Sequence, residues 1–247
     1  PILKHDVVAL CAALQRLLTL GTLGMSGPVE IEFAVCLRPA PAPHEFAFLQ
    51  IRPLVLGAAA QAIDLGVVAP ADAFIAHSRA LGVGRTAGLR DIVAVRRDTF
   101  DRGRTREIAA DIAALDARLR AEGRPYLLIG PGRWGTADRW LGIPVTWPDI
   151  AGARVIVECD LAGAAVEPSQ GTHFFHNMTS LGIGYFTASE KRGAHVDWAW
   201  LEGQPVALET GYARHYRLDA PLEVLIDARS GEGAVAKVEA RRVELDG

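Results

Sequence analysis

Glu30 and Glu32 stand two apart in the stretch PVEIEFAV, and Gln50 and Arg52 stand two apart in FAFLQIRPL. On a β-strand residues i and i+2 share a face, so both carboxylates point one way while Val29, Ile31 and Phe33 point the other. If the two strands pair, two carboxylates, an amide and a guanidinium converge on one surface. Hard oxygen ligands of this kind hold a magnesium ion, and an arginine fork clamps a phosphate. The same residues equally describe a solvated strand face with a cross-strand ion pair.

A second group of reactive types lies in SQGTHFFHNMTSLGIGYF, residues 169 to 186. Thr172 as N-cap and Gly182 as stop predict a short helix, with Phe174, Phe175, Met178 and Leu181 on one side and His173, His176, Asn177 and Ser180 on the other. At the helix N-terminus His173 meets free N–H groups and the positive pole of the dipole. These disfavour a proton on the imidazole and welcome a phosphoryl group. A neutral imidazole is the nucleophile that phosphoryl acceptance needs. His173 as a simple capping side chain, or as a metal pair with His176, are the other readings, the pair having no third ligand in view.

The third group is LIGPGRWGTADRWLGIPV, in which Gly130, Gly132 and Gly135 follow a strand with Arg133 and Trp134 between them. It has neither the Lys-Ser/Thr of a Walker loop nor the G-x-G-x-x-G pattern. It reads as a tight turn that needs glycine, or as a loop from which Arg133 reaches an anionic ligand while Trp134 or Trp140 excludes water.

The elements that must position these residues indicate a mixed α/β fold. Apolar spacing from Val7 to Leu20 predicts an amphipathic helix ending near Gly21 and Gly24, ahead of the two antiparallel strands. GAAAQAIDLGVVAPADA reads as a connector, with the boundary between 54 and 68, so residues 1–60 and 61–247 are expected to form separate domains. In the second, RDIVAV, PYLLIG, RVIVEC and IGYFTA read as strands, and Thr105 to Leu119 as a helix capped by Thr105. A β-rich finish follows Trp200. Arg96, Arg97, Arg102, Arg104 and Arg106 read as a solvated basic face balanced by Asp98, Asp101 and Glu107.

Composition narrows the function classes. With 26 Lys+Arg against 29 Asp+Glu and a net charge of -3, no bulk field draws the chain to nucleic acid or to an anionic membrane. Cys11, Cys36 and Cys159 are scattered without a CxxC pair, which argues against a disulfide framework or a zinc site and for a reducing cytoplasm. No apolar run reaches membrane-spanning length, and the missing initial Met suggests a piece of a longer protein. A homo-oligomer stays open.

VEIEFAV and FLQIRPL, following an amphipathic helix, resemble the C-terminal end of the ATP-grasp nucleotide-binding domain of phosphoenolpyruvate synthases and pyruvate phosphate dikinases. There a strand of the type D-I-E-W precedes one of the type L-Q-A-R-P. The resemblance implies Mg2+ held by Glu32, with Glu30 in place of the family's Asp, and a metal and phosphate site lined by Gln50 and Arg52. It also implies that the adenine pocket and basic phosphate-binding residues precede Pro1, so that this stretch alone binds ATP weakly or not at all.

In the same family a swivelling, phosphohistidine domain carries T-S-H-A-A followed by L-G-I-P, with the histidine eight residues before the leucine. Here Leu181 is eight residues after His173 and opens LGIG, while Gly171-Thr172, the two phenylalanines and Gly184 depart from the pattern. SQGTHFF and the GPGRWG segment also resemble the C-terminal region of large bacterial proteins described only as PEP/pyruvate-binding-domain proteins.

The implied whole is the tail of an ATP-grasp domain followed by a modified swivelling domain with a β-rich end. Its implied chemistry is phosphoryl transfer from ATP to His173 and on to pyruvate or another small anionic acceptor; the loop reading adds Arg133 as an anion contact. Only 74 residues follow His173, too few for the barrel of about 250 residues that completes phosphoenolpyruvate synthesis in that family. The rival expectation is a non-catalytic regulatory or partner-binding module, using the aromatic HVDWAWLEG segment.

Overall fold

A computed structural model describes residues 10–24, 29–39, 41–53, 63–82, 84–136, 138, 140–161, 165 and 182–237, with the backbone alone at 52 and 53. The chain divides into two compact units, Pro1–Ala58 and Ala59–Gly247. No helix among the described residues is long and apolar enough to cross a membrane.

The first unit is one helix on one hairpin. Helix α1 (Leu10–Gly24) runs through Gly21. A Cβ at Gly21 would come within 2.9 Å of Val29 Cγ2, so the bare glycine lets the helix close onto the hairpin. Strands β1 (Val29–Cys36) and β2 (Glu45–Pro53) pair antiparallel with a bulge between Glu32 and Phe33. Beyond the bulge Phe33 and Phe46 stack with ring centroids 5.4 Å apart.

The second unit is strand-rich and closes into a seven-stranded barrel. Its staves are β3 (Ala73–Leu81), β4 (Gly84–Val95), β5 (Tyr126–Pro131), β8 (Ala153–Cys159), β9 (Gly184–Ala188), β12 (Ala213–Asp227) and β13 (Glu232–Lys237). Around the ring the order is β3, β13, β12, β4, β5, β8, β9 and back to β3. β4, β5, β8 and β9 run parallel, and every other junction is antiparallel. Short strands β6 (Arg133–Trp134) and β7 (Gly142–Ile143) pair with each other, while β10 (His195–Val196) and β11 (Val206–Glu209) pair with β3 and β12.

Where they run side by side the parallel strands are mostly buried and apolar because both faces are covered, with Asp91 and Glu158 as buried charged exceptions. Leu127, Ile129, Val155, Val157 and Phe186 fill the barrel. The alternate residues Tyr126, Leu128, Ile156 and Tyr185 lie under helix α2 (Thr105–Ala121), which buries Ile108, Ile112, Leu115 and Leu119 at helical spacing. Each of those four side chains contributes about 2 kcal/mol of burial. The layers are therefore helix, parallel half-barrel and antiparallel half-barrel.

Three expectations change. Thr105 is buried as the first residue of α2 and does not cap it; Asp101 instead accepts the Gly103 N–H at 2.7 Å in the 3-10 turn ahead of the helix. The β-rich finish is no appendage, since β12 and β13 insert between β3 and β4 and complete the barrel wall. The basic run is only partly solvated: Arg96 is 16% exposed and pairs with Asp98 and Glu209, each at 2.8 Å.

Buried polar groups pin the amino ends of the parallel strands. Asp91 on β4 accepts from His215 Nε2 at 2.7 Å and from Arg124, whose guanidinium reaches it at 2.7 Å; Arg217 Nε adds a longer contact at 3.3 Å. Burial pushes the Asp91 carboxyl up, but the hydrogen bonds and charges of His215 and Arg124 outweigh it and hold the group below its ordinary range. Nearby, Asp116 of α2 accepts from Tyr126 Oη at 2.9 Å, from the Gly152 N–H at 2.8 Å and from Arg120 Nε at 2.7 Å.

Candidate functional site

The β1–β2 hairpin pairs its residues so that Glu30 lies opposite Arg52 and Glu32 opposite Gln50. Directly opposed residues of an antiparallel pair stand on the same face. Backbone positions Glu30, Glu32, Gln50 and Arg52 therefore share one face of the hairpin, all on the near side of the bulge. Two carboxylates next to an amide oxygen fit a magnesium ion, which takes one or two carboxylates and completes its shell with water and phosphate oxygens. Among the described residues no group of three or more His, Cys, Asp and Glu side chains is gathered for a metal. His173 lies outside the described residues, as does the helix expected around it.

The glycine-rich loop is a rigid corner. Trp134 is 2% exposed: its indole N–H donates to the Val157 carbonyl and its backbone N–H to Glu158 Oε1, each at 3.0 Å. A Cβ on Gly130 would lie 2.6 Å from the Trp134 ring, which is why only glycine fits beneath it. Glu158, fully buried, also accepts from Tyr185 Oη at 2.5 Å. Trp134 is thus core rather than a wall against water. Trp140 is 59% exposed, with the Arg102 guanidinium 5.8 Å from its ring centre. Arg133 sits half-buried on β6, opposite Gly142.

At the carboxyl ends of the four parallel strands the barrel mouth opens into a cleft of about 450 Å3. Val95, Pro131, Asp160 and Ala188 come from the ends of, or just beyond, β4, β5, β8 and β9. Ligands of parallel α/β sheets bind outside these ends, because the connecting loops diverge there. The walls are Phe100, Val196 and Trp198, the last on helix α3 (Trp198–Glu202), which covers the barrel interior. Asp197 caps α3 by accepting the Trp200 N–H at 3.0 Å, and Trp200 packs on Phe74 with ring centroids 5.1 Å apart. Much of HVDWAWLEG is therefore a barrel plug. Cys159 also faces the cleft, but burial pushes its thiol far up, so it is no nucleophile.

The charged residues of the cleft escaped the sequence reading. Arg97 was absorbed into the basic run, and Glu190 and Lys191 sit in an unremarkable SEKRG turn. The available signal was positional: each follows closely on the end of a buried strand. Arg97 lies over the Trp198 ring at 4.7 Å. Arg133 does not line the cleft, although Gly130 and Pro131 of the preceding strand do. A smaller hollow of about 220 Å3 shares Val95, Arg97 and Trp198, but there Arg96 and Arg214 are matched by Asp98 and Glu209.

No family model, curated protein or solved structure matches the chain.

Proposed function

We propose that the chain is part of an ATP-dependent phosphotransferase that passes a phosphoryl group through His173 to a small anionic acceptor such as pyruvate. The observation that carries the reading is the hairpin register, Glu30 opposite Arg52 and Glu32 opposite Gln50. In this reading Glu32 and Glu30 hold Mg2+, which supplies charge neutralisation on the polyphosphate. Gln50 orients the phosphates and Arg52 clamps them. An imidazole nitrogen of His173 attacks phosphorus; the P–N bond forms as a P–O bond breaks, and its electron pair leaves on the departing phosphate oxygen. The reading takes residues 1–53 as the end of an ATP-grasp domain and the barrel unit as a modified swivelling domain. The three layers of helix, parallel half and antiparallel half support the latter.

The test uses the full-length protein with Mg2+ and ATP labelled separately at its β and γ positions. An acid-labile, base-stable phosphate that disappears in His173→Ala supports the reading, and the labelled position identifies the group transferred. Tight ATP binding with no label on His173 refutes the carrier role. Glu32→Gln is expected to abolish labelling while leaving the barrel unit folded.

A further inference from the structure

The mouth cleft is a site in its own right, independent of the phosphoryl-transfer reading. Among the described residues four charged side chains line it, Arg97 and Lys191 against Asp160 and Glu190. These four sum to zero, so they make no field that would concentrate a polyanion such as a nucleotide. Asp160 is already engaged, accepting the Lys191 backbone N–H at 3.2 Å and fixing the 3-10 turn Glu190–Arg192. Among the described residues, neither the Arg97 guanidinium nor the Lys191 ammonium has a carboxylate partner, and the Glu190 carboxylate has no cation. Both signs are therefore presented to whatever enters, beside an apolar wall of Phe100, Val196 and Trp198.

We infer that the barrel mouth binds a small zwitterion, an α-amino acid with an apolar side chain. Its carboxylate lies between Arg97 and Lys191, its ammonium against Glu190, and its side chain on the Phe100 and Trp198 wall. In the neighbouring hollow Arg96 and Arg214 are satisfied internally by Asp98 and Glu209, which leaves only the shared Arg97 of its arginines to meet a ligand. A charge-assisted contact at each end of the ligand is what separates this class from simple organic acids or amines.

Calorimetric titration tests this with L-leucine and L-phenylalanine, each compared with its 2-oxo acid and its decarboxylated amine. At least one amino acid is expected to bind roughly tenfold or more tightly than both of its singly charged counterparts, since each lacks one charge-assisted contact. Arg97→Met and Glu190→Gln, both at exposed positions and checked for folding by circular dichroism, are each expected to weaken it by a similar factor. Glu190→Gln should also bring the amino acid and its 2-oxo acid to equal affinity, which a general loss of folding would not do. Binding of the 2-oxo acid or the amine as tightly as the amino acid overturns the inference. So does the failure of both amino acids to bind at millimolar concentration. Phosphohistidine formation reports separately on His173, so the two proposals fail independently.

Discussion

Replacing Asp91 by alanine tests the polar pin of the barrel. The carboxylate is 2% exposed and takes hydrogen bonds from His215, Arg124 and Arg217. His215 is equally buried and has nowhere to turn, so the loss of its partner costs about 1.5–3 kcal/mol as a stranded charge-assisted bond. The side chains of Arg124 and Arg217 are 31% and 42% exposed, so water takes over and each contributes roughly 0.2–1 kcal/mol. The expected loss is about 3 kcal/mol, or roughly 6–12 °C in Tm for a unit of this size. Chemical denaturation read by tryptophan fluorescence, with a thermal scan alongside, measures it.

The acid limb gives a second, signed check. The folded carboxyl lies below its ordinary value of 3.8. The stability it contributes is therefore complete above the unfolded value and lost as pH falls through the folded one. The wild-type chain should thus lose more stability than Asp91→Ala when pH drops from about 5 to about 2. A variant within 1 kcal/mol of wild type at neutral pH, or one with an identical acid loss, refutes the account.

Other consequences are equally measurable. Gly132→Ala places a side chain at φ +73° with its Cβ 2.6 Å from the Leu141 carbonyl oxygen, so it should cost about 2 kcal/mol or more and shift the emission of Trp134. Tyr126→Phe removes one of three donors to Asp116 and leaves the Gly152 N–H and Arg120 in place, so a loss of about 1 kcal/mol in denaturant unfolding is expected. Brief alkylation at neutral pH followed by mass mapping should modify the exposed Cys36 and spare Cys159, whose thiol is buried and pushed up, until denaturant is added.

Much of the hairpin was legible from residue order alone. Glu30, Glu32, Gln50 and Arg52 have the spacing that puts each pair on one face, and the parity of a strand depends on nothing beyond the chain itself. The pairing supplied the rest, since a slip of one residue would have sent one pair to the opposite side. The buried strands RDIVAV, RVIVEC and IGYFTA were legible for a similar reason: an unbroken apolar run needs cover on both faces. β3 was missed because its first four residues, Ala73 to Ala76, are buried on both faces and only His77 and Arg79 are exposed, and so short an apolar run carries no periodicity to mark it as a strand.

What the sequence by itself determined, then, is which segments bury which faces, because hydrophobic periodicity is written in a window of a few residues. Only the tertiary structure decided that β12 and β13 slot between β3 and β4, that the ring closes through β3 and β9, and that Asp91 meets His215 and Arg217 more than 120 residues away. Those contacts depend on closing long loops, whose entropy grows only slowly with length, so nothing local selects one distant partner over another. The mouth cleft belongs with them. Arg97, Glu190, Lys191 and Trp198 share no motif, and it is the convergence of parallel strand ends that brings them to one place.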